Sequence, residues 1–375
     1  MCTGGTLAQL PILMTPFWLD LLVEQQRVSS VGASWIIGWE FLCAAVSNLY
    51  MVRLIFRYSA RALGVFGVLC LLLASTLCAI SQELPVLWIG RGAAGVGEGM
   101  LAGIAQVMAA KTAHPDRAYA VMNMSVGLSS LALLQVIPGV AGHWGAAGIF
   151  NLTALCALVC LPPLVKLGRG SSAGTDRNAS PRAKAVLSRS VAVFLAIMIA
   201  SIAVQGLWTF AVSQAHRLDI SRATMSHVMT VSLLCGLLGS AASGFLSGRL
   251  PRLALIGMGI ALLAVAAFWF GYARSQLLYF TAICLLPLAY GICFPLLFGL
   301  LAKLDPHRAT AAGSVASLIG TAIGSPAVGI ALARGAYAAF FWGNCATLLL
   351  AWGLAAYAAG RRESQADGSA SRILA

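Results

Sequence analysis

The sequence predicts an all-α membrane protein with twelve transmembrane helices, built as two six-helix halves that are related by pseudo-twofold symmetry. Three observations predict this fold: the composition, the number of apolar runs and the placement of basic residues. Of the 375 residues, 60% are hydrophobic and 9% are charged, and the mean hydropathy is +0.88. A soluble domain is about 25% charged, so this chain has too few polar groups to cover a water-facing surface. The composition excludes a soluble enzyme and a nucleic-acid-binding protein.

Twelve apolar runs are long enough to cross a bilayer, which takes about 20 residues in a helix. The first is the weakest, because Pro11, Pro16 and Asp20 lie within it or near its end. A polar segment rich in Gly and Ser, 167–189, separates the sixth run from the seventh and is typical of a flexible linker. We therefore predict a first half at 1–166, a cytoplasmic linker at 167–189, a second half at 190–360 and a cytoplasmic tail at 361–375. The predicted spans are 5–23, 32–52, 62–80, 85–109, 118–141, 147–166, 190–212, 226–247, 253–272, 276–302, 309–333 and 337–359.

Basic residues alternate between the two sides of these spans. With both termini in the cytoplasm, 18 of the 24 Lys and Arg residues fall in cytoplasmic loops and tails, as the positive-inside rule requires. The net charge of +13 then has the anionic headgroups of membrane lipids as its partner, and no nucleic acid. We predict a multi-pass protein of a bacterial cytoplasmic (inner) membrane with both termini inside. The six remaining basic residues are Arg27, Arg91, Arg217, Arg222, Arg274 and Arg334.

An internal repeat supports two equivalent halves. The segment 114–118, His-Pro-Asp-Arg-Ala, reappears as Asp-Pro-His-Arg-Ala at 305–309, and Pro138 has a counterpart in Pro326 at nearly the same offset. Each half has an even number of spans, so both copies face the membrane in the same way. Parallel halves of this kind are typical of one large class of transporters.

Three short elements resemble motifs of the major facilitator superfamily. The segment 244–252 is similar to the family's Gly-x-x-x-Asp-Arg-x-Gly-Arg loop, with Gly248 in place of the acid and Pro251 in place of the second glycine. The segment 91–97 resembles its Arg-x-x-x-Gly-x-Gly element. A degenerate version of Gly-Pro-x-x-Gly-Gly, which is associated with antiporters, lies in the fifth span. Candidate gating residues from the first and third of these elements are Pro138, Gly139, Gly142, Gly244, Arg249 and Arg252.

The resemblance implies a major facilitator fold and a monomeric secondary transporter. It implies that spans one, four, seven and ten line a central cavity, and that the arginine at position 91 takes part in proton coupling. It also implies that Arg249 and Arg252 organise the cytoplasmic ends of spans eight and nine. Because Gly248 stands where the family has an acid, this loop has no carboxylate at that position to pair with the arginines.

Only three ionisable residues lie well within spans, Glu40, Arg91 and Glu98, and each costs about 2.5–3.5 kcal/mol to insert. Arg91 and Glu98 share one face of the fourth span about 10.5 Å apart along the axis, too far for a direct ion pair but suited to a water-filled cavity. In a functional interpretation, Arg91 attracts an anionic substrate or anchors a carboxylate, and Glu40 or Glu98 carries a proton. In a structural interpretation, Arg91 pairs permanently with Glu40. The resemblance favours function for Arg91.

The second half offers polar and aromatic side chains. Gln205 and Trp208 share a face of span seven, and Tyr290 lies between Pro287 and Pro295 in span ten. By the resemblance, Gln205, Trp208 and Tyr290 are candidate substrate contacts, with helix packing as the alternative for each. The two prolines remove backbone hydrogen bonds and are candidate gating residues. Five other tryptophans lie nearer span ends and fit an interfacial belt: Trp18, Trp35, Trp88, Trp144 and Trp342.

The leading functional hypothesis is a proton-coupled secondary transporter that moves a small organic solute by alternating access. Arg91 suggests an organic anion as the solute. Efflux of lipophilic drugs or metabolites is the alternative, and a transport-dead sensor or an intramembrane enzyme is a remote one. Ten cysteines without a CxxC pair and histidines without metal-ligand spacing predict no metal, cofactor or catalytic activity.

Overall fold

The computed structural model describes residues 2–359, apart from 26, 56, 111–114, 166–183, 247–248 and 305–308. All regular secondary structure within these residues is helical. The tail that was predicted at 361–375 and most of the predicted linker lie outside the described residues.

The first half of the chain forms helices that match spans one to six. Helix α5 contains two spans, because Gly145 adopts φ 60° and ψ −148° and divides it into arms 115–144 and 146–165. Glycine tolerates this left-handed backbone, which most side chains would strain. The bounds are α1 Cys2–Glu24, α2 Ser30–Leu54, α3 Ala60–Ile80, α4 Leu84–Ala110 and α5 Pro115–Val165.

The second half supplies spans seven to twelve, so the predicted all-α fold of twelve spans is confirmed. Helix α6 begins at Lys184, inside the segment that was predicted as linker. A one-turn helix, α7, and a 3-10 turn at His216–Leu218 follow it. The bounds are α6 Lys184–Thr209, α7 Ala211–Ala215, α8 Arg222–Leu246, α9 Arg252–Tyr272, α10 Gln276–Leu304, α11 Ala309–Ala333 and α12 Tyr337–Ala359.

The outer surface of these helices is apolar. Large side chains such as Leu73, Leu238 and Trp342 are each about two-thirds exposed, which water would penalise and lipid accommodates. Within the described residues, nine helical stretches are long and apolar enough to cross a membrane, and the stretch 124–165 covers both arms of α5. The chain is an integral membrane protein.

Glycines on α4 bring α2 into close contact with it. A methyl group on Gly95 would overlap the carbonyl oxygen of Glu40, and one on Gly99 would overlap that of Ala44. Small residues allow this approach of two backbones in a membrane. The glycine-rich face of α4 thereby places the Glu40 side chain beside the same helix that carries Arg91.

The two halves meet along α2 and α11. Gly38 of α2 lies against the carbonyl oxygen of Ala322 and the ring of Pro326. Nearer the other end of the same pair of helices, Asn48 Nδ2 donates a hydrogen bond to Ser314 Oγ at 3.1 Å. A shift of one half against the other must therefore change contacts of α2.

A proline in α1 supplies a second link between the halves. Pro16 has no N–H, so the carbonyl of Ile12, one turn earlier, lacks its helical donor. Trp208 Nε1 of α6 donates to this carbonyl at 3.0 Å. The bond fixes the Trp208 ring against α1 and satisfies a backbone acceptor that is expensive to leave unpaired in lipid.

Candidate functional site

Arg91 and Glu40 form a buried ion pair between α4 and α2. Arg91 Nε donates to Glu40 Oε2 at 2.9 Å, and its Nη2 donates to the other carboxylate oxygen. The side chains are 2% and 0% exposed. Two parallel N–H···O bonds are the strongest geometry that a guanidinium and a carboxylate can adopt. The pairing required by the structural interpretation is therefore present.

Glu98 completes a three-residue charge cluster. Its Oε1 lies 3.9 Å from Arg91 Nη2, and within the described chain neither carboxylate oxygen accepts a hydrogen bond from an N–H or hydroxyl group. The carboxyl also interacts with that of Glu40. The expectation that two turns of helix keep these residues apart is wrong, because the long Arg91 side chain spans the distance. All three residues are buried, so the cluster lies in the protein interior rather than in the expected water-filled cavity.

Two aromatic rings cover the guanidinium. The Arg91 Cζ atom lies 5.5 Å from the ring centre of Trp18 and 5.7 Å from that of Phe150, within the range of cation–π attraction. Trp18 is 1% exposed, so its assignment to an interfacial belt is wrong. Its helix is enclosed by neighbours, which the position of Trp18 near a span end could not indicate.

A separate cavity of about 180 Å³ lies between the halves. It brings together the three predicted substrate contacts, Gln205, Trp208 and Tyr290, with the predicted gating residue Pro287. Helices α1, α5, α6, α8 and α10 line it, whereas α4, expected from the resemblance, contributes no lining residue. Sequence reasoning missed the polar lining residues Gln9 and Ser130. The remaining lining residues are Ile12, Leu13, Val126, Val204, Leu233 and Leu286.

Four residues tie the halves together at the end opposite Arg53 and Arg249. Asp20 of α1, 4% exposed, accepts hydrogen bonds from Arg222 Nε at 2.6 Å and, in the tautomer or charge state that donates, from His216 Nε2 at 3.0 Å. Arg222 also pairs with Glu24. We call Asp20, Glu24, His216 and Arg222 the outer latch, because the positive-inside rule predicts that this end faces away from the cytoplasm. It was missed because Asp20 lies at a span end, where a charge needs no special partner.

We expect Arg222→Gln to open the outer latch. The change removes the bond to the buried Asp20 carboxylate, worth about 1.5 kcal/mol at the low end of the range for charged partners, whereas the bond to Glu24, which is 60% exposed, contributes little. Each 1.4 kcal/mol is about a factor of ten in an opening equilibrium. Hydrogen–deuterium exchange of the segments 17–24 and 216–226 should therefore become about tenfold faster. The control is Arg27→Gln, which removes the same charge from an exposed loop position. Equal exchange in both variants would contradict the latch.

The predicted gating residues differ in how closely they pack and in what they contact. A methyl group on Gly139, Gly142 or Gly244 would meet no atom within 4 Å, so none of these glycines is required for close packing. Arg249 stacks on Phe245, with Cζ 4.0 Å from the ring centre, and Gly248 lies outside the described residues. The guanidinium of Arg252 lies beside Gly299 of α10. Pro295 is exposed, whereas Pro287 packs against Gly236 of α8.

Pro138 has a specific structural role. It has no N–H to donate to the carbonyl of Leu134, one turn earlier. Ser226 Oγ of α8 donates to this carbonyl, and nearby Gln135 Nε2 donates to Thr230 Oγ1 at 2.9 Å. Pro138, like Pro16 on α1, thus leaves a backbone carbonyl oxygen of the first half available to accept a hydrogen bond from the second half.

Two helical halves with a cavity between them and a buried group of ionisable residues are features of membrane transporters. The sequence model of the Major Facilitator Superfamily matches residues 1–318. The chain belongs to the Major Facilitator Superfamily and is one of its transporters. Within the described residues, no group of His, Cys, Asp and Glu side chains could hold a metal ion.

Solved structures and a curated relative are similar to the chain. An auto-inhibited peptide transporter of the POT family has a TM-score of 0.76 at 12% identity, covering 96% of each chain. A D-xylose–proton symporter has a TM-score of 0.74 at 12% identity, covering 96% of this chain and 97% of its own. At this identity the likeness concerns the fold. A chloramphenicol efflux pump of Mycobacterium tuberculosis is 28% identical over 158 residues, which are 39% of this chain and only 38% of that pump.

Proposed function

We propose that this protein is a proton-coupled exporter of a small organic solute, with Glu98 as the proton carrier and the cavity as the solute site. The observation that carries the proposal is the buried Glu98 carboxyl, which accepts no hydrogen bond from an N–H or hydroxyl group of the described chain and lies 3.9 Å from Arg91. Burial favours the neutral form of a carboxyl, and a neighbouring arginine favours the ionised form. Opposed influences of this kind suit a group that gains and loses a proton.

Arg91 connects the proton on Glu98 to the movement of helices. When Glu98 is ionised, it competes with Glu40 for the guanidinium, and when it is protonated, Arg91 is left to Glu40. Glu40 belongs to α2, which packs on α11 of the other half, and Trp18 belongs to α1, which carries the outer latch. A proton on Glu98 thereby changes the charge balance beside two helices that hold the halves together.

Export is favoured over uptake by the partial similarity to a protein named as an efflux pump. The organic-anion hypothesis rested on Arg91 facing a cavity, whereas Arg91 is 2% exposed and bound to Glu40. The alternative from the sequence, efflux of lipophilic compounds, therefore has more support. We further propose that the protein is a monomer, as the family resemblance implies. We also propose that both termini lie in the cytoplasm, because the basic loops follow that orientation.

Proton entry supplies the energy in this proposal. A proton-motive force of 150 mV is worth about 3.5 kcal/mol per proton, enough for a concentration ratio of roughly 300. One proton that enters the cytoplasm for each neutral solute molecule that leaves is thus sufficient for useful export.

The sign of an imposed pH gradient tests the proposal in proteoliposomes. Radiolabelled chloramphenicol serves as the probe, and the lumen is made either more acidic or more alkaline than the bath. An exporter that exchanges solute for protons accumulates the probe only when the lumen is acidic, because protons then leave as solute enters. A symporter accumulates it only with an alkaline lumen. Accumulation that exceeds the accumulation in protein-free liposomes and is the same for both signs of the gradient would overturn proton coupling.

A further inference from the structure

The walls of the cavity carry no formal charge. Among the described residues that line it, none is Asp, Glu, Lys, Arg or His. The ionisable cluster of Glu40, Arg91 and Glu98 is not part of the lining, and Arg91 is already engaged by Glu40. A solute in this cavity therefore meets no counter-ion.

The polar groups of the lining are neutral and can both donate and accept. Gln9 of α1 and Gln205 of α6 are carboxamides, and Ser130 of α5 is a hydroxyl. Their side chains make no hydrogen bond within the described part of the chain. Each of these groups offers a donor and an acceptor, so together they suit a solute that has both kinds of polar atom.

Aromatic rings form the rest of the recognition surface. The Trp208 ring is held in place by its bond to Ile12, and the Tyr290 ring stacks on Phe294 with ring centres 3.9 Å apart. Rings that are fixed in this way present a rigid apolar surface to a solute. An apolar cavity of about 150 Å³ can hold benzene. The cavity of about 180 Å³ is partly open, so it has room for one aromatic ring while the polar substituents of the solute extend through its open side.

We propose that the cavity selects an uncharged amphipathic solute, with about one aromatic ring and with both a hydrogen-bond donor and an acceptor. A charged solute would lose hydration against this largely apolar lining without gaining a counter-ion, which is unfavourable. This inference rests on the proposed function, since it takes the cavity as the solute site of a transporter. It replaces the organic anion as the expected substrate class.

Binding of three compounds that differ mainly in charge tests the inference. Benzamide is neutral, benzoate is an anion and benzylammonium is a cation at neutral pH, and each has one ring. Thermal stabilisation of the purified protein in detergent gives an apparent affinity for each. We expect benzamide to bind at least about tenfold more tightly than either ion. Tighter binding of benzoate or benzylammonium, or binding of none of the three, would overturn the inference.

A charge placed in the cavity supplies the second arm of the test. Gln205→Glu should raise the affinity for benzylammonium and lower that for benzamide, whereas Gln25→Glu, on an exposed loop, should change neither. An unaltered preference in Gln205→Glu would place the binding site elsewhere. The binding assay contains no pH gradient, so it reports on substrate class alone. Failure of the proposed function would instead appear as gradient-independent flux of a compound that binds.

Discussion

Glu98→Gln should abolish accumulation that is driven by an acidic lumen while leaving the protein folded. Glutamine has the shape of the protonated carboxyl but cannot release a proton, so the variant is fixed in a neutral state. For a pH gradient equivalent to 150 mV, the limiting concentration ratio of the solute should fall from roughly 300 to one, because proton movement is no longer coupled to solute movement. Accumulation of radiolabelled chloramphenicol in proteoliposomes measures the ratio.

Exchange of labelled for unlabelled solute distinguishes lost coupling from lost transport. Exchange needs the halves to rock but needs no net proton movement, so Glu98→Gln should retain it. The matched control is Glu83→Gln, at an exposed glutamate between α3 and α4, which should keep both activities. Full accumulation in Glu98→Gln would show that another residue carries the proton. Loss of both accumulation and exchange would show that Glu98 has a structural role.

Composition and charge placement were enough to predict the twelve spans, because a bilayer imposes length and apolarity on each helix separately. The start of α6 at Lys184 was missed, since polar residues before the apolar run still continue the helix. The predicted spans five and six lie on either side of the helix break, but the sequence did not place the break at Gly145. Such details depend on local backbone geometry, which composition does not encode.

The candidate site shows where periodicity stops being informative. The scarcity of ionisable residues within spans singled out Glu40. Helical periodicity placed Arg91 and Glu98 on one face of a helix. It could not show that α2 approaches α4 closely enough for a two-bond pair, because that depends on the backbone contact at Gly95. It also failed at Trp18, whose surroundings come from other helices. Helical spacing identifies which residues share a face but not which helix that face meets.

The outer latch and the cavity were harder still to predict. Asp20 and Arg222 are about 200 residues apart in sequence, and they meet only because the two halves dock. The cavity takes residues from five helices, and the resemblance had implied a set that includes α4 instead of α5 and α8. Contacts between halves depend on the docked arrangement, which each half alone does not specify.

Arg91→Met should be the most destabilising single change in the charge cluster. It leaves Glu40, which is 0% exposed, and Glu98 without a cation. Removing one partner of a buried ion pair costs about 3–5 kcal/mol. Glu40→Gln should cost less, because Arg91 keeps Glu98 within 3.9 Å as a second carboxylate. The midpoint of thermal unfolding in detergent gives the order of stability.

The double variant Arg91→Met with Glu40→Met decides whether the pair is needed for stability or for coupling. Two apolar side chains in place of a buried ion pair are often neutral or stabilising, so the double variant should unfold at a higher temperature than Arg91→Met alone. Arg27→Met, at an exposed position, controls for the loss of a positive charge. A double variant that is stable yet transports without gradient dependence would assign the ion pair to proton coupling. A double variant as unstable as Arg91→Met would show instead that α2 and α4 require the ion pair in order to pack, because apolar contacts in its place would then have failed to hold them together.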